Sequence, residues 1–317
     1  MTDQPAIVQD LPFADYRDWP GVHQSLLKVG LPPHGTMAHI KDRLDHPVTA
    51  SRWMRIGSLI HAGQFDPGRM LDGYVVQPAF ELDPENVTGS GQPSTSKATS
   101  YYKGQAAQFA AINEDRQIID ATEYDAIRAM IHNLDRYERA RGYFAQGDPE
   151  VSIRAPHDDT GMMLVGRIDW LNHEQWYFVD LKTTNNITRP DRFLADSKTD
   201  FQLAFYRRLL MLTTGEEYHA RLVLVGNQRP FLVDAGRVAD ESLDQMDDLI
   251  DPLLANYRRC LDSGEWPGLD DTGDKLYTVG SYHLPDQEPL RLTSGGQPLT
   301  AKPKPTDRAD ADEIIMF

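Results

Sequence analysis

One cysteine, Cys260, stands among 317 residues. That scarcity excludes a disulfide framework, a cysteine zinc site and an iron–sulfur cluster held by four cysteines. No apolar run approaches the roughly 20 residues that span a bilayer. The opening MTDQPAIVQD lacks a basic region followed by an apolar stretch, so no signal peptide is expected. The expectation is a soluble, cytoplasmic protein. Positive charge is also short, with 32 Lys and Arg against 48 Asp and Glu and a net charge of −16. An acidic total argues against nucleic-acid binding by the whole surface. It leaves room for a local basic groove, and for acid gathered around a metal ion.

The chain reads as mixed α/β. Residues 1–48 are punctuated by Pro20, Pro32, Pro33 and Pro47. A helix is expected from Thr49 or Ala50 to about Gly63, with Trp53, Ile56, Leu59 and Ile60 on its apolar face. Residues 84–100, PENVTGSGQPSTSKATS, are polar and turn-rich and read as a mobile loop. A long helix is expected over about Ala121 to Tyr143, with Thr122 as its N-cap. Three strands follow: EVSIRAP (150–156), MMLVGRIDW (162–170) and WYFVDLKT (176–183). Then come a helix from about Thr199 to Leu212, strands at 218–226 and 230–236, and a helix from about Glu241 to Cys260. This order implies a mixed central sheet flanked by helices, in one domain over 1–285. The tail, 286–317, shifts to Pro, Thr, Gly, Lys and Asp and reads as disordered and acidic, ending DADEIIMF.

Chemistry concentrates in the third strand. Side chains two apart on a strand share a face, so Asp180 and Lys182 stand together while Val179 and Leu181 face the core. Asp169, near the end of the preceding strand, falls within a step or two of Asp180 across a hairpin. Carboxylates this close repel unless a cation joins them, and Mg²⁺ suits them. Such an ion polarises a phosphate and lowers the pKa of bound water, and a nearby lysine can orient that water. Alone, Asp-X-Lys is a short motif that chance supplies. A lone His61 on a helix is more often packed than ligating. Gln202 and Tyr206, four apart, share a helix face with a polar patch as the plain alternative, and Glu150 reads as a solvated strand end.

The ordered set RIGSLIHAGQFDP, EVSIRAP, VGRIDW, VDLKTT and FQLAFYRR resembles the PD-(D/E)XK nuclease superfamily. Within it the set resembles the RecE-type exonuclease group (exodeoxyribonuclease VIII-like, often encoded by phages and prophages). HQSLLK near the N-terminus resembles that group's start, and the likeness covers roughly residues 22–265. The resemblance implies a restriction-endonuclease-like core. It makes His61 the metal-site histidine, Asp169 the first catalytic aspartate, and Asp180 and Lys182 the D-X-K pair. It makes the Leu181 carbonyl a further metal ligand and Gln202 and Tyr206 the Q-X-X-X-Y element. Glu150 matches an acidic family position, and Thr183 and Thr184 could contact a phosphate. Ile168 stands where the family name places a proline. The resemblance further implies an exonuclease using Mg²⁺ (Mn²⁺ as a substitute) on ends of linear double-stranded DNA, running 5′ to 3′ and leaving 3′ overhangs for a single-strand annealing protein. A homo-oligomeric ring is the implied assembly. Arg154, Arg167, Arg189, Arg192, Arg207 and Arg208 are candidates for phosphate contacts.

Two rivals differ in substrate access or in class. One is an endonuclease of the same fold, because the motifs describe the shared chemistry. The other is a non-catalytic interaction protein acting through DADEIIMF, which resembles the acidic, Phe-ended tip of bacterial single-strand-binding proteins.

Overall fold

The branched and aromatic runs at 148–184 and 219–237 form the strands that a mixed sheet needs. The computed structural model describes residues 4–49 and 51–269. In chain order the elements begin with β1 (Ala6–Val8), α1 (Phe13–Arg17), β2 (Val22–His23), α2 (Gln24–Leu27), α3 (Met37–Asp45) and α4 (Arg52–Phe65). They continue with β3 (Tyr74–Val76), β4 (Asp83–Val87), β5 (Pro93–Ser94), α5 (Ser100–Ile112) and β6 (Gln117–Ile119). Next are α6 (Ala121–Arg136), α7 (Glu138–Tyr143), β7 (Asp148–Pro156), β8 (Met163–Asn172) and β9 (Tyr177–Thr184). The last are α8 (Pro190–Ser197), α9 (Thr199–Thr214), β10 (His219–Gly226), β11 (Val233–Arg237), α10 (Asp240–Asp247) and α11 (Ile250–Ser263).

Seven strands make the main sheet, in the order β1-β7-β8-β9-β10-β11 with β2 beside β8. β9 and β10 run parallel, joined through α8 and α9. β7, β8 and β9 form the expected antiparallel meander. One face of the sheet packs on α9, α10 and α11 through Phe201, Phe205, Leu209, Leu254 and Tyr257. The other packs on α4 and α6 through Ile56, Leu59, Ile60, Ile127, Met130 and Leu134. Val179 and Leu181 enter this second core, as their parity requires.

Several expectations need correction. Trp53 is 51% exposed, because it lies in the first turn of α4, where Arg52 stacks on its ring. Asp120, not Thr122, caps α6, its carboxylate accepting the Thr122 N–H at 2.8 Å. The helix expected over 121–143 breaks at Tyr137, and Arg139 of α7 then donates to the Ala235 carbonyl of β11 at 2.7 Å. The helix expected over 241–260 is two helices. Pro252 sits in the first turn of α11, a place proline tolerates, whereas in a continuous helix its ring would clash with a preceding carbonyl. Residues 84–100 contain the end of β4, the whole of β5 and the Thr99 cap of α5. A compact unit runs over Met1–Gly268. The expected boundary at 285, the tail 286–317 and its DADEIIMF end lie outside the described residues. No helix among the described residues is long and apolar enough to cross a membrane.

Candidate active site

The site forms where two strands part. β8 and β9 pair only from Trp170↔Val179 to Asn172↔Tyr177. Beyond that point β9 continues along β10, while β8 continues along β7 and gains β2 at Leu164 and Val165. Asp169 stands in the crotch of this fork. Its Oδ2 accepts the Leu181 N–H at 2.7 Å, a side chain doing what the lost ladder bond would have done. The β7–β8 ladder is interrupted beside it, since Pro149↔Trp170 and Val151↔Ile168 pair but Glu150 and Asp169 do not. Glu150 takes a left-handed backbone there, φ +52°, a conformation that costs a non-glycine residue energy.

His61 reaches the crotch from the last turns of α4. Ser51 caps that helix, and Leu59 and Ile60 bury beside His61 to fix its direction. Its Nε2 donates to the Leu181 carbonyl at 2.7 Å, and its Nδ1 lies 3.5 Å from Asp169 and 3.7 Å from Glu150. Ligand atoms of His61, Glu150 and Asp169 all lie within 4.8 Å of one another. Glu150 is also paired with Arg167 at 2.6 Å, which makes it a fixed wall of the cluster and not the solvated strand end of the plain reading.

Asp180 is 1% exposed and faces α9. Its Oδ1 accepts from Lys182 Nζ at 2.7 Å and from Gln202 Nε2 at 2.8 Å. Gln202 in turn approaches the Tyr206 hydroxyl at 3.3 Å. The second oxygen, Asp180 Oδ2, is buried without a hydrogen-bond partner. A buried carboxylate oxygen with no partner is costly, and a cation satisfies it. Asp180 stands outside the triad of His61, Glu150 and Asp169, but its charge acts on Asp169, and an acidic triad with this orphaned oxygen in its field fits a hard divalent ion.

Charge here is strongly coupled. Burial pushes Asp169 up to about 6, against the pull of the His61 charge. Burial lowers His61, but the Asp169 charge and the Glu150 contact outweigh it and raise it to about 9. Lys182 is lowered by burial yet ends above the usual lysine range, because Asp180 and Asp169 hold its proton. Glu150 is raised by burial but ends below the usual range through His61 and Arg167.

The structure thus brings together His61, Glu150, Asp169, Asp180, Leu181, Lys182, Gln202 and Tyr206. The Leu181 carbonyl is engaged by His61. Thr184 is buried and its hydroxyl accepts the Asn186 N–H at 3.1 Å, which leaves Thr183 the more open of the two threonines. The candidate arginines have partners within the chain. Arg189 pairs with Asp191, Arg192 with Asp196, Arg207 with Asp244, and Arg208 with Asp247 and Asp251. The Arg207 and Arg208 pairs tie α9 to α10 and α11, which holds helices together. Arg154 lies over the Trp19 ring. Two further residues escaped the motif reading. Gln24 lies near Tyr206 with its buried Oε1 left without a hydrogen-bond partner, and Lys28 lies in the field of Lys182 and Asp180. Both lie in the HQSLLK stretch, whose spacing gives neither side chain a role.

Residues 25–274 match the family described as PDDEXK-like domain of unknown function (DUF3799). The chain belongs to this family. It is therefore a PD-(D/E)XK-type nuclease, of a class of divalent-metal-dependent hydrolases acting on DNA. Among solved structures, a candidate exonuclease from Eubacterium rectale matches with a TM-score of 0.54 at 16% identity, over 80% of this chain and 88% of that one. This likeness supports the fold. A phage related exonuclease from Haemophilus somnus matches at TM-score 0.28 and 11% identity, over 54% of this chain and 91% of that one. An alkaline exonuclease from Laribacter hongkongensis matches at TM-score 0.29 and 13% identity, over 52% and 84%. The last two overlaps are too shallow to carry an argument. No curated protein matches the chain.

Proposed function

We propose that the protein is a Mg²⁺-dependent exonuclease that degrades linear double-stranded DNA from 5′ ends and leaves 3′ overhangs. The observation that carries the nuclease chemistry is the His61, Glu150 and Asp169 triad of possible ligands, with the Asp180 charge, whose Oδ2 is buried and partnerless, acting on Asp169. His61, Asp169, Asp180 and the Leu181 carbonyl would hold the ion, with Glu150 close enough to share it. The bound ion would supply Lewis acidity and a more acidic water. Lys182 directs its ammonium at the same spot, where it orients the attacking water and stabilises charge growing on the phosphate. Gln202 fixes the Asp180 carboxylate, and Tyr206 backs Gln202. The end preference, the 5′-to-3′ polarity, a single-strand annealing partner and a homo-oligomeric ring rest on the family resemblance.

The deciding assay uses linear duplex and covalently closed circular DNA with Mg²⁺ or Mn²⁺. Digestion of the linear form alone, with 5′-labelled nucleotides released first, is the expected result. Equal cutting of closed circles would overturn the exonuclease reading in favour of an endonuclease. No cutting of either, in protein shown to be folded, would overturn the nuclease reading.

A further inference from the structure

The strand that carries the D-X-K pair does not end at Lys182. β9 runs on to Thr184, which shares a face with Asp180 and Lys182 because side chains two apart lie on one side. At about 3.3 Å per residue, Thr184 stands roughly 7 Å beyond Lys182 along the strand. Its neighbour on β10 is Gly226, in the register that also sets Leu224 beside Lys182. Thr184 and Gly226 both line a cleft of about 170 Å³ at the ends of these parallel strands.

Two loops wall the cleft, and both are tied to the strand ends. After β9, the Asn186 N–H donates to Thr184 Oγ1 at 3.1 Å, and the Thr188 hydroxyl donates to Asn186 Oδ1 at 3.0 Å. After β10, the Asn227 N–H donates to the Thr184 carbonyl and the Gly226 N–H to the Leu232 carbonyl, each at 2.8 Å. Asn133 of α6 adds two bonds from its Nδ2, to the Pro230 and Phe231 carbonyls at 3.1 and 2.9 Å. The cleft is therefore a fixed extension of the strand that carries Lys182.

Its lining identifies the ligand. Asn185 and Gln228 are exposed, and their side-chain amides make no hydrogen bond among the described residues. Each amide offers both donors and an acceptor. Asn227, between the lining residues Gly226 and Gln228, keeps Oδ1 buried without a partner. Ile187 and the half-exposed Leu232 supply apolar surface. A phosphate brings acceptors alone and no apolar face, so it would leave the amide oxygens unanswered. An unpaired nucleobase brings two flat faces and an edge that both donates and accepts. At ~30 Å³ per water the volume holds about six, room for one heterocycle and too little for a base pair.

We propose that this cleft captures one unpaired nucleobase of the DNA, just beyond Lys182 on the same strand. The pocket rests on the nuclease reading above, and it adds a grip on the base to chemistry that acts on the backbone. A base held out of the stack keeps the duplex end frayed, so the scissile phosphodiester stays within reach of Lys182 and the carboxylates.

The test uses the full chain and fluorescently labelled blunt duplexes in which each nucleotide near the end, on either strand, is made abasic in turn. Affinity is read by anisotropy in EDTA so that no cleavage occurs, and kcat/KM is read in Mg²⁺. The variant combines Asn185→Ala with Gln228→Ala; both side chains are exposed and unbonded, so Tm should hold, and Gln228→Ala alone repeats the comparison if the pair disturbs the fold. The variant should lose affinity severalfold on the intact duplex. At one abasic position wild type should suffer a similar loss and the variant should lose nothing further, because the missing base and the missing amides are one interaction. Losses that multiply at every position, or a variant that binds intact duplex like wild type, would overturn the pocket. The salt dependence of log K should match that of wild type; a slope shallower by about 0.9 would give the cleft to a phosphate and overturn the base reading. All of these leave cleavage by the wild type intact. Wild-type protein that neither binds nor cleaves overturns the nuclease reading beneath.

Discussion

Asp169 Oδ2 takes the Leu181 N–H at 2.7 Å across the point where β8 and β9 separate. One carboxylate thus closes the fork and faces the donors of His61 and Glu150 with its other oxygen. Structure and chemistry are therefore separable by substitution. Asp169→Asn keeps an acceptor for the amide and should fold, while losing the stabilisation by Mg²⁺ that wild type shows. Asp169→Ala also orphans the Leu181 N–H and should cost a further ~1–3 kcal/mol. Thermal unfolding in EDTA and in Mg²⁺ reads both effects. An Asn variant with an undiminished Mg²⁺-induced rise in Tm would remove Asp169 from the metal site.

Lys182 and Gln202 share Asp180 Oδ1 but should fail differently. Lys182→Ala removes the one cation that, among the described residues, is bonded to the Asp180 carboxylate, itself 1% exposed. Turnover should fall by roughly 10²–10³ or more, as for other groups that stabilise developing charge. Stability without metal should fall too, since an uncompensated buried charge remains. Gln202→Ala leaves Lys182 in place and should lower kcat by a smaller factor, with DNA affinity unchanged. Single-turnover rates on labelled linear duplex separate the two. Equal defects would show that Gln202 acts on the chemistry directly and does not merely hold Asp180.

The sheet and the D-X-K pair were readable because parity on a strand is a rigid rule: Asp180 and Lys182 share a face whatever surrounds them. The helix carrying His61 was readable from Ile56, Leu59 and Ile60. Other features have no local signature. Glu150 joins the cluster through an interrupted ladder and a positive φ, neither of which its neighbours encode. Lys28, in the field of Lys182, follows β2 and α2, elements of two and four residues that are too short to show a period. α5 buries none of its residues, so its Ala- and Gln-rich sequence lacks an apolar stripe to betray it. The partners of Arg207 and Arg208 were not readable because Asp244, Asp247 and Asp251 lie about forty residues away, on α10 and α11.

His61 gives a pH dependence with a definite sign. Its folded value, about 9, lies above the ordinary 6.5. Protonated His61 therefore stabilises the metal-free fold fully below pH 6.5, and that contribution fades as pH climbs through about 9. In EDTA, Tm should decline across this window, and His61→Gln should flatten the decline. Metal binding near neutral pH should also release a proton, since a ligating imidazole must be neutral. Calorimetry in buffers of different ionisation enthalpy measures that release. Identical Tm–pH slopes for wild type and His61→Gln would show that the histidine is not held protonated by Asp169 and Glu150.

Gly166 tests whether the Gln202–Tyr206 support matters to the site. A Cβ there would lie 2.7 Å from Leu209 Cδ1 and 2.9 Å from Tyr206 Cε1. Leu209 can rotate its methyl away, but the Tyr206 ring is buried against the sheet and has less room. Gly166→Ala should therefore cost about 1–3 kcal/mol of stability through overpacking. It should also push the tyrosine off Gln202, loosening the grip on Asp180, so kcat should fall while duplex affinity in EDTA holds. Adding Tyr206→Leu, which clears the ring from the clash, should return most of the lost stability without returning the activity. If Gly166→Ala lowers Tm but leaves kcat at the wild-type value, Tyr206 is a core residue, and the support for Asp180 ends at Gln202.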